Sequence, residues 1–118
     1  HDPLTTAYNR YSFQEDIENS ASWLSAGLIY CDITELKKVN DHYGHAERNK
    51  LILHWYKILE NVFTKDKIYR LGGDEFIVLC INNKKDEFHE KIQKLKNTIQ
   101  EDTFHLAIGC VWSEEEHT

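Results

Sequence analysis

The stretch Lys67-Ile68-Tyr69-Arg70-Leu71-Gly72-Gly73-Asp74-Glu75-Phe76-Ile77-Val78-Leu79-Cys80-Ile81 decides the fold. Two strand-like runs, Lys67 to Leu71 and Glu75 to Ile81, bracket Gly72-Gly73-Asp74. Paired glycines between such runs signal a hairpin, because glycine tolerates the positive φ that tight hairpin turns need. Upstream, apolar residues at Leu51, Trp55, Ile58, Leu59 and Val62 line one face of a helix. Before that, Gly27-Leu28-Ile29-Tyr30-Cys31 is a compact apolar run that stops at Asp32 and predicts a buried strand. A short helical pattern around Phe13 and Ile17 precedes it. Downstream, Phe88, Ile92, Leu95 and Ile99 repeat the helical step within Asp86 to Gln100. A last strand is expected from about Phe104 to Trp112, followed by an acidic tail, Ser113 to Thr118. The order is β-α-β-β-α-β after a leading helix. It predicts an α+β fold of the ferredoxin-like kind, with an antiparallel-containing sheet flanked by helices.

A chain of 118 residues makes one domain, 1–118, with no linker or repeat. Its 41% hydrophobic content excludes disorder. Fourteen basic residues against twenty acidic ones give a net charge of −6, so neither nucleic acid nor direct membrane contact is expected. The longest apolar run, Phe76 to Ile81, is far short of the ~20 residues that cross a bilayer. Cys31, Cys80 and Cys110 all lie in apolar segments and read as reduced core residues, which points to the cytoplasm.

Three features carry chemistry. Asp32 ends a central strand, where a carboxylate either starts a turn or reaches a ligand. The hairpin tip combines two glycines with Asp74 and Glu75, so a ligand could approach the backbone closely. If the first strand and the hairpin are neighbours, Asp32 and Asp74 converge, and two adjacent carboxylates call for a cation such as Mg²⁺ or Mn²⁺. The polar stretch Asn40-Asp41-His42-Tyr43-Gly44-His45 is expected as a loop opening a helix. There Asn40 offers a donor and an acceptor for a base edge, and Asp41 suits a helix cap.

With these residues in view, the chain resembles the GGDEF domain of diguanylate cyclases. The resemblance rests on Asp2-Pro3-Leu4-Thr5, Asn9-Arg10, Asp32-Ile33, Lys37, Asn40-Asp41, Gly44-His45 and Arg70-x-Gly-Gly-Asp-Glu-Phe76, in family order and spacing. It implies a nucleotidyl-cyclase or polymerase-palm-like fold that condenses two GTP into cyclic di-GMP and two pyrophosphates. It also implies a role in bacterial second-messenger signalling. Two divalent ions, Mg²⁺ or Mn²⁺, would be held by Asp32, the Ile33 carbonyl and Asp74. The triphosphate would meet the backbone of Ile33 to Lys37, Leu36 included, and the Lys37 ammonium. Asn40 would contact guanine, Gly72 and Gly73 would lie against the nucleotide, and Glu75 would act near the second metal or the attacking hydroxyl. Catalysis would need a second GGDEF domain in a homodimer, and a longer chain with an N-terminal sensory partner is expected.

The sequence also departs from the family. Asn49 stands where an aspartate reads the guanine edge, with Arg48 in place of the preceding glycine. Thr34 replaces a second aspartate, and Glu35 brings negative charge to the triphosphate loop. Thr6 and Ala7 replace a glycine-leucine pair. Phe63 and Asp66 occupy the positions of the inhibitory product site, whose arginine is missing. The family's C-terminal helix, which supplies a lysine and an arginine, is not found before Thr118. These departures leave a second expectation, a catalytically inactive domain that binds nucleotide or serves regulation or dimerisation.

Overall fold

Alternation between two faces governs the central strand of the computed structural model, which describes residues 1–114. In β1 (Ser25–Ile33) Ile29, Cys31 and Ile33 are buried, while the intervening Leu28, Tyr30 and Asp32 face the other way and are more open. β1 pairs antiparallel with β3 (Glu75–Ile81) on one side and β4 (Leu106–Glu114) on the other, and β2 (Lys67–Arg70) completes the hairpin with β3. The strand order is β2-β3-β1-β4. Each crossover therefore skips one strand and needs a helix to span it. Those helices are α2 (Leu36–Val62) and α3 (Lys85–Glu101), and the sequence-based β-α-β-β-α-β order holds.

Both helices cover the same face. Leu51, Ile52, Trp55 and Leu59 from α2 join Phe88, Ile92 and Leu95 from α3 over Ile29, Cys31, Phe76, Val78 and Cys80 of the sheet. The apolar stripe on α2 is wider than its spacing suggested, since Ile52 and Tyr56 are also buried while Ile58 is only partly so. The leading helix, α1 (Arg10–Glu18), is capped by the Asn9 side chain, which accepts from the Ser12 amide at 2.9 Å. Among the described residues no helix is long and apolar enough to cross a membrane.

Three local expectations are corrected. Asn40 to Tyr43 is not a loop: α2 starts at Leu36, and only Gly44, at φ 83° and ψ −179°, interrupts it. The residues from Asp41 to Glu47 are exposed, so no apolar period marks this helical segment. Asp41 consequently caps nothing; Glu35, at φ 66°, holds that position without a side-chain hydrogen bond. Cys110 is exposed rather than core, because β4 is an edge strand of which the helices bury only Leu106 and partly cover Ile108 and Trp112. Ser113 belongs to β4, opposite Ala26, and the rest of the expected acidic tail after Glu114 lies outside the described residues.

Candidate functional site

The end of β1 and the tip of the β2–β3 hairpin meet because both flank the same rung of the sheet. Asp32 lies opposite Glu75 on β3 and opposite Ala107 on β4. One step beyond that rung, the Ile33 amide donates to the Asp74 carbonyl at 2.8 Å, folding the tip over the strand end. The Leu71 amide donates to the Glu75 carbonyl at 3.0 Å and closes the turn.

The N-terminal segment holds this tip from behind. Tyr8 bridges Tyr69: its amide donates to the Ile68 carbonyl at 3.0 Å, and the Arg70 amide donates back to the Tyr8 carbonyl at 2.8 Å. Arg70 Nη1 donates to both carboxylate oxygens of Asp2 at 3.1 Å, and Nη2 donates to the Gly73 carbonyl at 3.1 Å. Asp2 also accepts from the amide and hydroxyl of Thr5 at 2.8 and 2.7 Å. Burial alone would raise the Asp2 pKa, but these bonds from Thr5 and Arg70 outweigh it and hold the carboxyl below its usual range. Arg10 Nε donates to the Leu71 carbonyl at 3.4 Å. Spacing alone could not show that these residues brace the hairpin.

Two adjoining lobes form a cleft beside the tip. One, about 390 Å³, is lined by Asp32, Asp74, Ala107 and the run Ile33 to Lys38. The other, about 260 Å³, is lined by Leu36, Lys37, Asn40, Arg48, Gly73 and Asp74. Leu36, Lys37 and Asp74 belong to both. Burial pushes the Asp32 carboxyl above its ordinary pKa, and the nearby Asp74 pushes it further, with a smaller effect of Glu75. The Tyr30 phenol beside them is likewise pushed up, first by burial and then by Glu75. Among the described residues, no lysine, arginine or histidine forms an ion pair with Asp32, Asp74 or Glu75. Two adjoining carboxylates with no ion-paired side chain between them suit a hard divalent ion. No group of three or more His, Cys, Asp or Glu forms a metal cluster among the described residues.

Asp32, Ile33, Leu36, Lys37, Asn40, Gly73 and Asp74 thus come together as expected. Gly72 sits at the tip with the Glu75 carboxylate 3.6 Å from where its Cβ would be, and neither residue lines the cleft. Asn49 lines neither lobe; its neighbour Arg48 does. One residue along a helix turns a side chain by about 100°, which is enough to exchange the two. Gly44 breaks the helix between Asn40 and Arg48, so helical spacing could not pair them, and only the tertiary structure puts both on one lobe.

The family described as diguanylate cyclase, GGDEF domain, matches residues 1–117. The chain is a GGDEF domain. It is 34% identical over 112 residues to the probable diguanylate cyclase DgcI of Escherichia coli (strain K12), covering 93% of this chain and 23% of that protein. Among solved structures, the FimX GGDEF domain from Pseudomonas aeruginosa aligns with a TM-score of 0.86 at 17% identity, over 100% of this chain and 82% of that one, which shows the shared fold. A microbial GGDEF domain described in a novel interaction mode with bis-(3,5)-cyclic di-GMP aligns at 28% identity and a TM-score of 0.77, over 96% of this chain and 76% of that one. This GGDEF domain belongs to the cyclic di-GMP signalling family, and it spans about a third or less of the curated relatives it matches.

Proposed function

We propose that this domain is the catalytic module of a diguanylate cyclase, holding one GTP and meeting a second copy to form cyclic di-GMP. The observation that carries the reading is the convergence of Asp32 and Asp74 beside the Lys37 loop with no ion pair to either among the described residues. In this reading Asp32, Asp74 and the Ile33 carbonyl hold divalent metal. Mg²⁺ or Mn²⁺, two ions per site, would neutralise charge on the leaving pyrophosphate and ease deprotonation of the attacking hydroxyl. Lys37 and the backbone from Ile33 through Leu36 grip the triphosphate, while Asn40 faces the base. Gly72 and Gly73 keep the tip free of side chains, and Glu75 stays close to the attacking group.

In each half-reaction a ribose 3′-oxygen bonds to an α-phosphorus, the bond to pyrophosphate breaks, and the hydroxyl proton leaves to solvent. The two nucleotides must be held in line across two domains, so positioning supplies much of the rate. We place the reaction in the cytoplasm, in a longer protein whose sensory part controls pairing of the two domains.

Product inhibition through the family's usual position is not part of this proposal. Phe63 is 1% exposed in the core, and Asp66 is consumed by Lys91, whose ammonium lies 2.9 Å away. A second reading, a nucleotide-binding module without turnover, is favoured by Asn49 lying off the cleft and by Glu35 on the phosphate side of it. Incubation with GTP and Mn²⁺, followed by chromatography beside an Asp74→Ala control, separates the two. Cyclic di-GMP that vanishes in the control supports the cyclase; retained GTP without product supports the binding module.

A further inference from the structure

The two lobes of the cleft differ in chemistry. Asp32, Asp74, Lys37 and Lys38 belong to the first, where metal and phosphate chemistry fits. The second lacks Asp32 and Lys38 and gains Asn40 and Arg48. Its two distinctive side chains are an amide and a guanidinium. The Asn40 Oδ1 is buried without a hydrogen-bond partner, an acceptor waiting for a donor. Among the described residues Arg48 makes no ion pair. Its Nη2 lies 3.0 Å from the point that a Cβ on Gly73 would occupy, so the glycine makes room for it at the tip.

Guanine presents O6 and N7 as adjacent acceptors and N1–H with the 2-amino group as adjacent donors. A guanidinium matches the first edge in bidentate fashion, and an amide oxygen accepts from the second. Adenine instead turns a 6-amino donor toward the guanidinium, setting donor against donor.

Building on the nucleotide-binding reading above, we propose that Arg48 is the base-specificity residue of this domain. Its guanidinium donates to O6 and N7 of guanine while Asn40 takes the donor edge. Recognition thereby moves from position 49, which lies off the cleft, to position 48. Replacing a carboxylate reader by a guanidinium changes which edge of the base is checked, from the donors to the acceptors.

The test uses dideoxy-GTP and its 7-deaza counterpart, which has carbon in place of N7. Neither carries the 3′-hydroxyl, so binding is measured without turnover. Calorimetric titration with Mg²⁺ should show the unmodified domain binding the 7-deaza compound roughly tenfold or more weakly, the loss of one charge-assisted bond. Arg48→Ala should bind both compounds equally, no tighter than the unmodified domain binds the 7-deaza form, with circular dichroism confirming its fold. Equal binding of the two compounds by the unmodified domain overturns the assignment. So does an Arg48→Ala variant that loses affinity for both by the same factor, which would put the guanidinium on phosphate. If neither compound binds the unmodified domain, the nucleotide-binding reading itself fails and takes this one with it.

Discussion

The amide of Ile33 donates to the carbonyl of Asp74 at 2.8 Å, tying the end of the central strand to the hairpin tip. This backbone bond sets the carboxylates of Asp32 and Asp74 side by side whether or not a cation is present. The fold therefore carries a local repulsion that a divalent cation bound there would relieve.

That repulsion has a pH signature. The Asp32 pKa is raised in the fold by burial and then by Asp74, so the native state binds this proton more tightly than the unfolded chain. The cost is full above the raised value and vanishes below the ordinary carboxylate range, near about 4. Without metal, Asp32→Asn should melt at a higher temperature than the unmodified domain at pH 7. The gap should close as pH falls toward that range. Mg²⁺ should raise the melting temperature of the unmodified domain and not that of the variant.

Removing Asp2 should weaken the hairpin from a distance. Its carboxylate and the Arg70 guanidinium are only 16% and 12% exposed, and Asp2→Ala would strand a buried charge whose Nε already lacks a partner. A loss of about 2–4 kcal/mol in urea unfolding is expected. Because the Asp2 pKa is lowered in the fold, its contribution is present above the ordinary carboxylate range and is lost as pH falls through the lowered value.

Gly27 leaves no room for a methyl group. A Cβ there would stand 2.3 Å from the ring of Phe88, which is fully buried on α3. Gly27→Ala should cost about 1–3 kcal/mol by overpacking. Adding Phe88→Leu should recover part of that loss, so that the double variant is more stable than the sum of the single effects predicts.

The three thiols should separate kinetically. Burial pushes the Cys31 thiol up to about 12 and raises that of Cys80 as well, whereas Cys110 is exposed on β4. A chromogenic disulfide reagent should label Cys110 quickly in the folded domain and reach the other two only after unfolding. Rapid labelling of Cys31 would show that the sheet opens locally.

Where burial writes a period into the chain, the sequence was readable. The stripe on α3 was legible because one face of it is covered by the core. β1 was legible as a compact apolar run, although the fold covers only one of its faces. The hairpin was legible from its paired glycines, although neither Gly72 nor Gly73 takes the positive φ expected of them. The first turns of α2 were not, since Asp41 to Glu47 are exposed and nothing apolar repeats there. Arg48 lines the second lobe and Asn49, matched by position along the chain, does not, because adjacent residues on a helix point about 100° apart.

The amino-acid order by itself settled the α+β class, the strand-helix sequence and the candidacy of Asp32, Asn40 and Asp74, because local pattern and residue chemistry carry that information; Lys37 entered through the resemblance to GGDEF domains. Only the tertiary structure decided that Asp2, Thr5 and Arg10 brace the hairpin, that Arg48 shares a lobe with Asn40, and that Cys110 lies open. Those facts depend on hydrogen bonds and packing between segments tens of residues apart, and no local spacing encodes which partners meet.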